Sequence, residues 1–150
     1  MSDIPTLPVT FRPGRTRAIL LTAGVAILVV LSGIAMLLEF TPGERVSFIV
    51  TGALIFWALA QLARVKVVAD ESGVTVVNIA GKRHLDWAEI VQVNLRPGDP
   101  WVFLNLSDGT SLPALGIQPG VAKQRAIADA GALRALAEAH AATRQGQDQR

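Results

Sequence analysis

The sequence has no cysteine and no tyrosine, only two histidines, and an aromatic share of 5%. Without cysteine there is no disulfide framework, no thiolate metal site and no cysteine nucleophile, and His84 and His140 cannot fill a structural zinc site by themselves. Scarce aromatics and a formal charge of only +2 supply neither the stacking platform nor the basic stripe of a nucleic-acid binder, so no nucleic-acid partner is expected. Charge of either sign is thin, at 17%. What fills the 150 residues is apolar: 51% are hydrophobic and the mean hydropathy is +0.41, too high for an ordinary soluble domain of this size.

The apolar excess sits in the first half. Ala18 to Leu38 runs AILLTAGVAILVVLSGIAMLL without a charge, and about 21 residues rising about 1.5 Å each cover a hydrocarbon layer of about 30 Å. A second run, Val46 to Leu62, extends through Ala63 and carries Trp57 and Gln61 near its end, where both reach the headgroup zone. Pro42-Gly43 between the runs is a turn signal, so the expected unit is a helical hairpin over residues 18–63, with spans 18–38 and 46–63. Arg12, Arg15 and Arg17 precede it and Arg64 and Lys66 follow it, whereas the connecting loop holds Arg45 beside Glu39 and Glu44. Basic residues favour the cytoplasmic side, so these five orient the hairpin and both termini are expected there, in a two-span protein of the cell membrane. A cleaved secretory signal is disfavoured, because the first apolar run is too long and no small-residue cleavage site follows it.

From Val65 onward, short apolar groups alternate with turn residues, the mark of several strands. Val65 to Asp70, Val74 to Ile79, Arg83 to Trp87, Ile90 to Arg96, Trp101 to Leu106 and Ser111 to Leu115 are the expected strands, with Val91, Val93 and Leu95 sharing one face. Asp108-Gly109 suits a tight hairpin turn between the last two. After Pro119-Gly120 the period becomes helical, and Ile127, Ala130, Leu133, Ala137 and His140 form a stripe that leaves Lys123, Arg134 and Glu138 in water. The expected fold class is therefore α+β: a transmembrane hairpin followed by a bent antiparallel sheet or barrel capped by a C-terminal helix. Its boundaries are a cytoplasmic segment 1–17, a domain 64–143 and a disordered tail 144–150. Trp87, Ile90 and Trp101 are expected in the core.

Three motifs occur in order: Asp70-Glu71-Ser72-Gly73-Val74-Thr75-Val76, then Lys82-Arg83 leading into Trp87-Ala88-Glu89-Ile90, then Leu106-Ser107-Asp108-Gly109-Thr110. With the preceding pair of spans, they make the chain from about Val46 to Ala142 resemble the bacterial pleckstrin-homology-like (PH-like) proteins, in particular the actinobacterial group related to low molecular weight protein antigen 6. The resemblance implies a PH-like domain whose partners are proteins or peptides, or further copies of itself.

Chemistry is sparse. Asp70, Glu71, His84, Asp86, Glu89, Asp99, Asp108 and His140 are the candidates for acid, base or ligand, and most occupy turns where a carboxylate serves the backbone. No phosphate loop and no His-Glu-x-x-His occurs, so no cofactor or metal is expected. Lys82, Arg83 and His84 form one basic strand that would suit an anionic ligand. A solvated edge guarding against aggregation explains them as well and is favoured, since Glu71, Asp86 and Glu89 would dilute the positive field. The expected function is a non-enzymatic, membrane-anchored PH-like interaction module in contact with the lipid bilayer. Its rivals are an accessory subunit of a larger membrane complex and a membrane-associated enzyme with an unrecognised site.

Overall fold

The computed structural model describes residues 4–150, which form two compact units, one of residues 14–64 and the other of the flanking segments up to Pro13 and from Val65 onward. In element order they contain β1 (Val9–Phe11), α1 (Gly14–Leu37), α2 (Pro42–Ala63), β2 (Lys66–Ala69), β3 (Gly73–Asn78), β4 (Gly81–Asp86), a 3₁₀ turn (Trp87–Glu89), β5 (Ile90–Asn94), β6 (Val102–Leu106), β7 (Ser111–Ala114) and α3 (Lys123–Asp148).

In the first unit, α1 and α2 form the hairpin. Thr41 starts α2 with a reciprocal cap: its hydroxyl accepts from the Glu44 N–H, and the Glu44 carboxylate accepts from the Thr41 N–H at 2.8 Å. Pro42 at the first helical position loses no hydrogen bond there. The helices meet where glycine leaves room, for a Cβ on Gly24 would come within 3.0 Å of Phe56 and one on Gly52 within 3.1 Å of Leu28. Both helices are long and apolar enough to cross a membrane. Their outward side chains are bare, with Leu37 86%, Val29 64% and Leu54 61% exposed, unlike those of a soluble core helix.

The second unit holds two antiparallel sheets, ordered β1-β2-β3-β4 and β5-β6-β7, with α3 against the second. Alternation builds the core: Val67, Val74, Val76, Leu85, Val102 and Leu104 are all at most 1% exposed, and Leu133 and Leu136 of α3 join them. Gly109, at φ +84°, makes the turn between β6 and β7, where the Asp108 carboxylate accepts from the Thr110 N–H and hydroxyl. Gly116 is required for a different reason, since any Cβ there would lie 2.6 Å from the Lys66 carbonyl carbon.

Strand β1 was not foreseen by the sequence. It pairs antiparallel with β2 in the register Val9↔Ala69, Thr10↔Val68 and Phe11↔Val67, so the helical hairpin is an insertion between two partnered strands of one sheet. The expected N-terminal segment 1–17 therefore contributes to the domain and to α1, its first three residues lying outside the described ones.

Other expectations are corrected. Val91 is 68% exposed and does not share a face with Val93, because a bulge between Ile90 and Gln92 shifts the register and turns it outward. Trp87 lies in the 3₁₀ turn after β4, not in a strand. The inward face of α3 is Ala126, Ala130, Leu133 and Leu136, whereas Ile127 is 49% exposed. The segment 144–150, expected to be disordered, is helical through Asp148, since Arg and Gln are good helix formers and the preceding turns supply the nucleus. Trp101 precedes β6 and is only half-buried, on the face opposite Val102, so it lies outside the core cluster that contains Trp87 and Ile90.

Candidate functional site

Two surfaces of the domain carry polar side chains that the fold holds in place. The first is edge strand β4, bonded on one side to β3 and, among the described residues, to no strand on the other. Its register splits the basic trio. Lys82 pairs with Val77, which also faces Lys66, so the two lysines flank one valine in a row across three strands. His84 pairs with Thr75, whose hydroxyl lies 2.9 Å from the ring Nδ1, and Nε2 sits 3.4 Å from the Ser72 hydroxyl and 3.8 Å from Asp86. Ser72 in turn donates its N–H and hydroxyl to Asp70, and these bonds hold the Asp70 carboxyl below the usual carboxylate range. His84 thus belongs to the β2–β3 turn cluster. Arg83 faces the other way, near enough to Asp108 to help lower that carboxyl after the dominant Thr110 hydrogen bonds.

The second surface is where α3 meets β5. Arg134 Nε and Nη2 donate to the Val93 carbonyl at 3.2 and 3.0 Å, capping an acceptor on the edge strand. Three hollows share this arginine. One of about 570 Å³ runs between Leu95, Ile127 and Gly131, one of about 370 Å³ between Ile4, Ala135 and Glu138, and one of about 150 Å³ between Val91, Gln92 and Ala137. Small residues create the space: Ala128, Gly131, Ala132, Ala135 and Ala139 sit beside the inward stripe. Arg134 is exposed, as the sequence implies, and what the sequence did not reveal is its bond to the Val93 carbonyl and the hollows beside it. The signal for the hollows was this run of Ala and Gly, which leaves a shallow channel instead of a covered face.

Trp87 joins the second surface to the first. Its Nε1 donates to the Asp70 carbonyl at 3.0 Å, and its ring stacks on His140 of α3 with centroids 4.3 Å apart. His140 also bonds the Leu136 carbonyl of its own helix through Nδ1 at 2.7 Å, which holds the ring whose stacking on Trp87 ties α3 to the turn before β5. Trp101 lies tilted against Phe103, its Nε1 buried without a hydrogen-bond partner among the described residues. Of the orienting residues, Arg12 and Arg64 occupy the connections beside α1 and α2, Arg15 and Arg17 begin α1, and Lys66 begins β2. Among the described residues no group of three His, Asp or Glu side chains is placed to hold a metal ion.

Residues 64–136 match the sequence profile of the family described as Bacterial PH domain. Uncharacterized proteins of Mycobacterium tuberculosis (Rv1417) and Mycobacterium bovis (Mb1452) are 29% identical over 97 residues, which is 65% of this chain and 62% of each relative. The match thus takes in less than two thirds of those relatives. No solved structure matches significantly. Over residues 64–136, just under half of the chain, the sequence is thus similar to the bacterial PH domain family, and the two sheets and closing helix agree with that likeness.

Proposed function

We propose that the chain is a non-enzymatic, membrane-anchored interaction module. Its hairpin crosses the cell membrane twice, both termini lie in the cytoplasm, and its PH-like domain takes a segment of a partner protein along the channel between α3 and β5. The observation that carries this reading is the cluster of three hollows around Arg134. The largest is walled by Leu95 and Ile127 and floored by small residues, which suits an apolar side chain. Arg134 leaves Nη1 without a partner among the described residues and is exposed, so an acceptor beside that apolar side chain completes the recognition. Membrane anchoring is supported by two helices of sufficient length and hydropathy and by the basic residues at the domain end of both.

A photo-crosslinking residue at Ile127 of the full chain in cells tests the binding surface. Adducts at position 127 that disappear with Gly131→Trp, and that are absent from a crosslinker at Glu71, are the expected result, and their mass distinguishes a foreign partner from a second copy. Equal adducts at 127 and 71 would refute the reading.

A further inference from the structure

The chain leaves the four-stranded sheet after Phe11 and re-enters it at Lys66, with only Arg12-Pro13 and Arg64-Val65 between strands and helices. Each link reaches about 10 Å at most. Phe11 and Lys66, the strand ends at these links, are therefore within that chain length of the helix ends they continue.

Strand register shows what else lies at this end of the sheet. Lys66, Val77 and Lys82 share one row, and the turn joining β3 to β4 lies just beyond it, with Asn78 and Gly81 paired and Ile79-Ala80 at its tip. Turn tips favour Gly, Asn, Asp or Ser, yet here an isoleucine stands at the tip, 50% exposed. The base of the turn is fixed, because Asn78 donates to the Pro113 carbonyl at 2.7 Å and accepts from the Leu115 N–H at 3.2 Å. Charge is segregated along the sheet. Asp70, Glu71, Asp86 and Glu89 lie at the opposite end, four or more residues from Lys66 and Lys82 along their strands. That separation is about 13 Å, beyond the screening length of about 8 Å at physiological salt, so these carboxylates do not cancel the lysines as the sequence suggested.

We infer that this end of the sheet is a lipid-contact surface, with Ile79 seated at headgroup level and Lys66 and Lys82, about 10 Å apart, holding acidic phospholipid headgroups. The inference rests on the hairpin being embedded, and reconstitution of the chain tests that separately.

Because the chain has no cysteine, a spin label can be placed at will. The full chain carrying Ala80→Cys or Glu71→Cys is labelled and reconstituted into nanodiscs of phosphatidylcholine, alone or mixed with phosphatidylglycerol. With phosphatidylglycerol, the label at 80 should collide with membrane-dissolved oxygen more than with a water-soluble nickel chelate, and the label at 71 should do the reverse. Each juxtamembrane lysine contributes about fivefold, so Lys66→Gln with Lys82→Gln should weaken the contact about 25-fold and return the label at 80 to water. Ile79→Ser, at an exposed tip, should also return it without touching the core. A label at 80 as aqueous as that at 71 in acidic nanodiscs, or one unmoved by the lysine substitutions, would overturn the inference.

Discussion

Trp87 links the turn after β2 to α3, so its removal gives a sharp test of the packing. The ring is 7% exposed, donates to the Asp70 carbonyl and stacks on His140. Trp87→Ala therefore removes a large buried ring and should cost about 3–5 kcal/mol. Trp87→Phe keeps most of the ring and loses the hydrogen bond, at a cost of about 1 kcal/mol plus any penalty for the stranded carbonyl. His140→Ala removes the stacked partner, worth about 0.5–1.5 kcal/mol, and should cost little more once Trp87 is already alanine. Urea unfolding can be followed in a water-soluble form in which Asn-Gly joins Arg12 directly to Lys66, closing β1 and β2 as a two-residue hairpin. A cost below about 1 kcal/mol for Trp87→Ala, or full additivity of the Trp87 and His140 losses, would refute the packing described for this corner.

Gly116→Val should destabilise the same soluble form by about 1–3 kcal/mol, because the new side chain meets the Lys66 backbone, whereas Gly120→Ala, with open space around it, should have little effect in the same urea titration. Asp70 is held below its ordinary range by Ser72, so its stabilising contribution is complete above its unfolded value of about 3.9 and is lost as pH falls through the lower folded value. Asp70→Asn should flatten the acid limb of stability against pH. Asp129 has the opposite sign, since burial raises its carboxyl and Arg125, 4.0 Å away, offsets this only in part, so Asp129→Asn should unfold at equal or higher urea at neutral pH. A reporter inserted at Gly43 should be active only as an external one, and a reporter fused after Arg150 only as a cytoplasmic one.

Local signals carried furthest from sequence to structure. The charge-free run from Ala18 and Asp108-Gly109 each specify their conformation within a few residues and stand where expected, whereas Pro42-Gly43, expected as the turn between the helices, opens α2 and leaves residues 38–41 as the connection, because Thr41 caps the helix and proline suits its first position. Strand β1 was illegible because Val9-Thr10-Phe11 is too short to show alternation and its partner lies beyond the whole hairpin. The bulge beside Val91 is invisible to an alternation rule, which assumes an unbroken period of two, so one inserted residue reversed the expected face. Helix α3 was recognised, but in an Ala-rich helix the apolar stripe is broad, and only packing decides that Ala126 rather than Ile127 points inward. Lys82, Arg83 and His84 were noticed as a group, and it took the strand register to separate a lysine row from a histidine tied to a turn.

The central claim is that the chain leaves one sheet, passes through a membrane-crossing hairpin and returns to the strand beside the one it left. Thr10 and Val68 are paired residues on the outer face of that join, and in an antiparallel ladder such pairs stand about 4.5–5.5 Å apart at Cα, within disulfide range. With Thr10→Cys and Val68→Cys in the full chain in native membranes, mild oxidant should form an intramolecular disulfide. Before oxidation, a membrane-impermeant maleimide should reach both thiols only from the cytoplasmic side. Failure to form the bond, or labelling of either thiol from outside intact cells, would contradict the account.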